Sequence, residues 1–128
     1  MPNNYLHSDI TGKIIKAFFE VYNKLGYGFL EKVYENALYI ELVKSGFKVQ
    51  KQKAISVYYD EQEVGIYYAD LIVNDLIIIE LKAASAIADE HYVQLLNYLK
   101  ATNMEVGLLL NFGKKPEIKR KIFDNEFK

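Results

Sequence analysis

Residues 76–82, Leu-Ile-Ile-Ile-Glu-Leu-Lys, constrain the fold more than any other stretch of this chain. Four aliphatic residues in a row, three of them β-branched, read as a strand buried on both faces. Such a strand should not end in Glu80 and Lys82, two charges on the same side of the pleat. Desolvating a charge is expensive, so buried carboxylates and amines are usually paired or bound to metal. Two such charges within three residues mark the end of this strand as a candidate site.

The flanking periodicities supply its neighbours. Ile10, Ile14, Ala17, Phe18, Val21, Tyr22 and Leu25 keep the helical period, with Ser8 or Asp9 as N-cap and Gly26-Tyr27-Gly28 as the stop. A second helix is expected from about Leu30 to Lys44, with Val33, Ala37, Leu38 and Leu42 inward and Ser45-Gly46 ending it. Phe47, Val49, Ile55, Val57 and Tyr59 read as a strand, Asp60-Glu61-Gln62 as a turn and Val64 to Val73 as a second strand. Asn74-Asp75 marks a turn before the Leu76–Lys82 strand. A third helix from about Asp89 to Thr102 turns Val93, Leu95, Leu96 and Leu99 inward. Val106 to Leu110 forms a further strand, and a basic tail around Ile118 and Ile122 follows. The order ααβββαβ predicts an α+β fold on a mixed sheet.

At 128 residues the chain is expected to form one domain spanning 1–128, large enough to bury a core. Hydrophobic content of 51% and charged content of 26% are ordinary for a soluble globular protein, and no apolar run approaches a membrane span. The N-terminal residues 1–9 lack the basic and apolar regions of a signal peptide. With no cysteine there are no disulfides and no thiolate metal sites, which fits a cytoplasmic protein. A net charge of −1 does not announce a nucleic-acid binder. The lysines are clustered, however: Lys44, Lys48, Lys51 and Lys53 in one run, Lys114, Lys115, Lys119, Arg120 and Lys121 in another. Such runs are either solvated surfaces or phosphate contacts.

Asp70 interrupts the second strand, ten residues before Glu80. It is either a bend residue or half of a carboxylate pair. Two carboxylates are the ligands hard cations such as Mg²⁺ or Mn²⁺ take, and a lysine beside them can orient or deprotonate a water attacking a phosphodiester. Directly opposed residues of an antiparallel hairpin share a face. A two-residue loop at Asn74-Asp75 would set Asp70 against Ile79 and turn the two carboxylates apart. Asp70 opposes Glu80 only if the loop holds residues 74 to 76 or a bulge shifts the register, and that shift is expected here. Two carboxylates so placed repel, and a bound cation relieves the repulsion.

Asp70 followed by Glu80-Leu81-Lys82 resembles the signature of the PD-(D/E)xK nuclease superfamily, with Ala69 where that motif has proline. Gly28-Phe29-Leu30-Glu31-Lys32-Val33-Tyr34 is similar to the namesake motif of the bacterial GxxExxY family within it. The likeness runs from roughly Ile10 to Ile122 and includes Gln94-Leu95-Leu96-Asn97-Tyr98-Leu99-Lys100 and Asn111-Phe112-Gly113. It implies a restriction-endonuclease-like core and a Mg²⁺- or Mn²⁺-dependent phosphodiesterase acting on DNA. By that resemblance Asp70, Glu80 and the Leu81 carbonyl hold the metal and Lys82 positions or activates water. Glu31 adds a carboxylate directly or through water, unless it only complements the helix dipole. Glu35 is less expected than Glu31 to point inward. Gln94 and Tyr98, one turn apart, resemble the Gln-x-x-x-Tyr element of RecB-like nucleases, which places the lysine and the phosphate. Tyr34 shares the Glu31 face and either packs in the core or helps position substrate.

Other chemistries are excluded. His7 and His91 cannot build a histidine metal centre or a Ser-His-Asp arrangement, and no glycine run forms a GxxxxGK[ST] loop. A rival reading remains: a catalytically silent nuclease-like fold used for binding or assembly. Eleven tyrosines include Tyr58, Tyr59, Tyr67 and Tyr68 on paired strands, the residue type that forms interfaces. Either way so small a nuclease core is expected to work as a homodimer or with a partner protein.

Overall fold

A computed structural model of the chain describes residues 5–128. The first four residues of the segment searched for a signal peptide lie outside the described residues. Helices α1 (Ser8–Leu25) and α2 (Glu31–Lys44) precede strands β1 (Val49–Tyr59), β2 (Gln62–Val73) and β3 (Ile77–Lys82). Helix α3 (Asp89–Lys100) then leads to β4 (Val106–Phe112), β5 (Pro116–Ile122) and a closing 3₁₀ turn at Asn125–Phe127. The five strands form one mixed sheet in sequential order, antiparallel except for β3 beside β4. The parallel step forces a crossover, which α3 supplies.

Both faces are covered, as the aliphatic run of β3 requires. Leu71, Val73, Ile77, Ile79 and Leu81 pack with Ile14, Phe18, Leu38 and Leu42 of α1 and α2. Ile72, Ile78 and Leu109 pack on the other face with Leu95, Tyr98 and Leu99 of α3. Gly107 lets α3 approach closely, since a Cβ there would lie 2.6 Å from Leu95 Cδ1. Burial of this kind contributes about 25 cal/mol per Å² of apolar surface and carries most of the fold's stability.

Four local expectations are corrected. The basic tail is the edge strand β5: Ile118 and Ile122 pack inward while its charges line the edge, which discourages further strand pairing. Neither Ser8 nor Asp9 caps α1; both lie in its first turn, and His7 holds the cap position with φ 56°. In α2 the buried row is Tyr34, Glu35, Leu38 and Leu42, and Val33 is exposed. Apolar residues ring that helix (Val33, Ile40 and Val43 all face solvent), so periodicity cannot orient it. On α3 it is Tyr98, not Val93, that joins Leu95 and Leu99 in the core.

Candidate active site

The β2–β3 turn sets the site. Val73 pairs with Ile77, so residues 74 to 76 form a three-residue loop, with Asn74 and Asp75 both at φ 54°. That is the register shift expected from sequence, and continuing it past Leu71–Ile79 places Asp70 opposite Glu80. At this step carboxylates replace backbone carbonyls as acceptors. The Asp70 N–H donates to Glu80 Oε2 at 2.8 Å, and the Leu81 N–H donates to Asp70 Oδ2 at 2.8 Å. Each carboxylate is thus held by the opposite strand's backbone, a charge-assisted bond stronger than a neutral one.

The β1–β2 ladder is interrupted beside Asp70, which itself stays within strand β2. Its β1 counterpart, Gln52, adopts φ 50° and drops out of the ladder between the Lys51–Leu71 and Lys53–Ala69 pairs. Side-chain alternation slips there: Leu71 belongs to the α1/α2 cluster, whereas Ala69 and Ile55 belong to the α3 cluster. Gln52 Nε2 donates to Glu35 Oε1 at 2.6 Å and to Asp70 Oδ1 at 3.3 Å.

Burial and like charge act together on the pair. Glu80 is only 4% exposed. Its carboxyl pKa is pushed up to about 8, first by burial and then by the Asp70 charge, against the weaker pull of the Asp70 N–H and Lys82. Asp70 is raised as well, chiefly by burial, with the Leu81 N–H opposing and the Glu35 charge adding to the rise. Lys82 is half-buried and its side chain makes no hydrogen bond or ion pair among the described residues, while its charge lowers both carboxyl pKa values.

The remaining residues divide. Glu31 is exposed on the first turn of α2, and only its charge reaches Glu80. Glu35, expected inward less than Glu31, is the buried carboxylate: it is 4% exposed and is held by Lys32 Nζ at 2.7 Å and by Gln52. Tyr34 is core, as the packing alternative had it. It stacks on Phe112 at 4.3 Å, and its hydroxyl donates to Gly26 O at 2.6 Å and accepts the Phe29 N–H. It braces the Gly26–Leu30 loop and presents no surface to a substrate. On α3, Gln94 Nε2 donates to the Tyr98 hydroxyl at 2.7 Å. Tyr98 is raised in pKa by burial and then by the Glu80 charge, and it packs in one cluster with Ala69 and Ile78 of the strands that carry the carboxylates.

The segment after Lys82 is pinned from β4. Asn111, fully buried and paired with Lys82 in the parallel ladder, accepts the Ala84 N–H at 2.9 Å and donates to Ala84 O at 3.0 Å. A Cβ on Gly113 would meet the same Ala84 oxygen at 2.2 Å. Sequence reasoning gave no role to Glu35, Gln52 or Asn111. Asn111 could have been found by the logic applied to Glu80, as a polar residue inside an apolar strand. Gln52, between two lysines on a mixed-polarity strand, carries no such signal.

The donor set fits a hard divalent cation. Asp70 and Glu80 offer carboxylate oxygens side by side, and Glu80 Oε1 has no hydrogen bond among the described residues. Among the described residues no three acidic or histidine side chains converge as a ready-made metal cage, so Glu31 and Glu35 do not complete one. A family model for the PD-(D/E)XK nuclease superfamily matches residues 8–121. The chain belongs to that superfamily. Asp70, Glu80 and Lys82 all lie within the matched stretch of this PD-(D/E)XK protein. Among solved structures, the crystal structure of SSO0001 shares the fold with a TM-score of 0.54 at 18% identity. The match covers 73% of this chain and 50% of that one, so the chain spans half the length of its structural neighbour. No curated protein matches it in sequence. No helix among the described residues is long and apolar enough to cross a membrane.

Proposed function

We propose that this chain is a Mg²⁺- or Mn²⁺-dependent nuclease of the GxxExxY type that hydrolyses phosphodiester bonds in DNA, its 1–128 stretch acting as one cytoplasmic catalytic domain. The observation that carries the reading is the placement of Asp70 opposite Glu80, each held by the other strand's backbone and each raised in pKa. A purely structural pair gains nothing from this arrangement, because burial and repulsion both disfavour it. Asp70, Glu80 and the Leu81 carbonyl are the residues that would hold the cation. When bound, such an ion supplies Lewis-acid polarisation of a phosphoryl oxygen and lowers the pKa of water.

The chain's own residues do the rest. Lys82, unpaired and adjacent to both carboxylates, orients the attacking water and stabilises charge developing on the phosphate. Gln94 holds the Tyr98 hydroxyl and so fixes the polar edge of α3 beside the site. Gln52 ties Asp70 to Glu35, which keeps Asp70 Oδ1 directed. A second reading, an assembly module, draws on the exposed Tyr58, Tyr59, Tyr67 and Tyr68 of strands β1 and β2. Calorimetry separates the two: Mn²⁺ should bind wild type and bind Asp70→Asn at least tenfold more weakly. Equal binding by both, or none by wild type with or without an oligonucleotide, would sink the metal-dependent reading.

A further inference from the structure

Strands β1 and β2 run 11 and 12 residues, against six for β3. Lys53–Tyr59 of β1 and Gln62–Ala69 of β2 pair only with each other and continue as a two-stranded arm over α3. Between the arm and α3 lies a groove of about 760 Å³, within the ~300–1,000 Å³ typical of small-ligand sites. Its walls include Tyr58, Tyr67, Val93, Gln94, Asn97 and Tyr98. Tyr98 forms the inner end, tilted against Tyr67 with ring centroids 5.7 Å apart. Tyr67 and Tyr58 keep 51% and 65% of their surface exposed. Nothing in the fold of the described residues covers them.

We propose that this groove seats an unpaired stretch of DNA, with bases stacked on Tyr67 and Tyr58 and the backbone led from there to Asp70 and Glu80. Three observations select this occupant. The groove ends near the strands that carry the carboxylates, because Tyr98 of its lining packs in one cluster with Ala69 of β2 and Ile78 of β3. Its polar lining includes Gln94 and Asn97, whose amides can hydrogen-bond base edges of any sequence, together with Ser56, His91, Glu90 and Lys100. Cationic groups flank it. Lys100 lines the outer wall, and Lys53, opposite Ala69, shares the arm face that looks toward α3. Lys44, Lys48 and Lys51 engage Glu41, Asp75 and Asn36, whereas Lys53 has no hydrogen bond or ion pair among the described residues. A duplex keeps its base faces stacked on one another and offers none to a tyrosine, so the ligand class is single-stranded.

The inference deepens the nuclease reading, and its test is independent of metal and cleavage. Fluorescence anisotropy in EDTA compares a labelled mixed-sequence single strand with the same sequence as a blunt duplex. The single strand should bind more tightly. Tyr67→Ala and Tyr58→Ala should each weaken that binding by on the order of tenfold, while Tyr67→Phe should retain it. Tyr68→Ala, on the opposite face of the arm, should change nothing, and circular dichroism checks that each variant folds. Duplex binding as tight as single-strand binding would overturn the proposal, as would undiminished binding by both folded alanine variants. A dimer that Tyr67→Ala dissociates, with no single-strand binding by either form, would assign the arm to a second copy of the chain instead.

Discussion

The protonation of Glu80 gives the most direct physical test of the site. In an unfolded chain a glutamate ionises near 4.5, whereas folded Glu80 holds its proton to about 8. Between those pH values the metal-free folded state binds a proton that the unfolded state has released. Stability is therefore full below about pH 4.5 and falls as pH rises toward 8. At ~1.4 kcal/mol per pKa unit the whole effect is on the order of 5 kcal/mol. Solvent screens it little at a side chain 4% exposed. Urea denaturation in EDTA at pH 5, 6.5 and 8 should show wild type losing stability relative to Glu80→Gln. Glutamine keeps an acceptor for the Asp70 N–H but cannot ionise, so the difference between the two proteins isolates this group. Mn²⁺ at 100 times its dissociation constant should return about 2.7 kcal/mol to wild type at pH 8 and little to the variant. If the two proteins track one another across that range, Glu80 is not a buried, repelled carboxyl and the case for a cation fails with it.

Three further outcomes follow from the geometry. Lys82→Met should lower cleavage of single-stranded DNA at least 100-fold in a gel assay yet shift the Mn²⁺ dissociation constant less than threefold; equal loss of both would make the lysine structural. Gln52→Gly and Gln52→Ala both delete the Glu35–Asp70 bridge, but at φ 50° the glycine variant should be the more stable by about 1 kcal/mol in urea melts, and an alanine variant of equal stability would mean no backbone strain is stored there. Gly113→Ala should push the Ala84 segment away from Asn111, with a loss of about 1–3 kcal/mol by thermal melting and slower turnover at unchanged metal affinity; a silent substitution would show that the segment after Lys82 is not held from β4.

What the sequence made legible followed from strong local signals. The Ile77–Ile79 run could only be a central strand, and a central strand dictates covering layers on both faces. The Asp70–Glu80 register was readable because side-chain period in a hairpin is two, so only one loop length brings the carboxylates together. Helix α2 was legible as a helix but not in rotation. Apolar residues surround it, and what turns Glu35 inward is Gln52, which comes from a strand 17 positions away. No local pattern records such a partner. Strand β5 was hidden for a different reason: its lysines and arginine are the very residues that make an exposed edge tolerable, and in sequence they read as a solvated tail.

The fault in the sheet and the site are one structure. A complete ladder consumes every backbone donor, and a carboxylate placed against it would find nothing to hold it. At the Asp70 step Gln52 turns into the left-handed region, the side-chain alternation slips, and the Asp70 and Leu81 N–H groups point at carboxylates. The arm beyond the fault is then free of β3 and lies over α3, where the two form the walls of the groove. A straight, regular β2 would have produced a better sheet, without the donors that orient Asp70 and Glu80. That local departure from regularity, at a residue whose neighbours are apolar on both sides, is the physical reason to place the chemistry here.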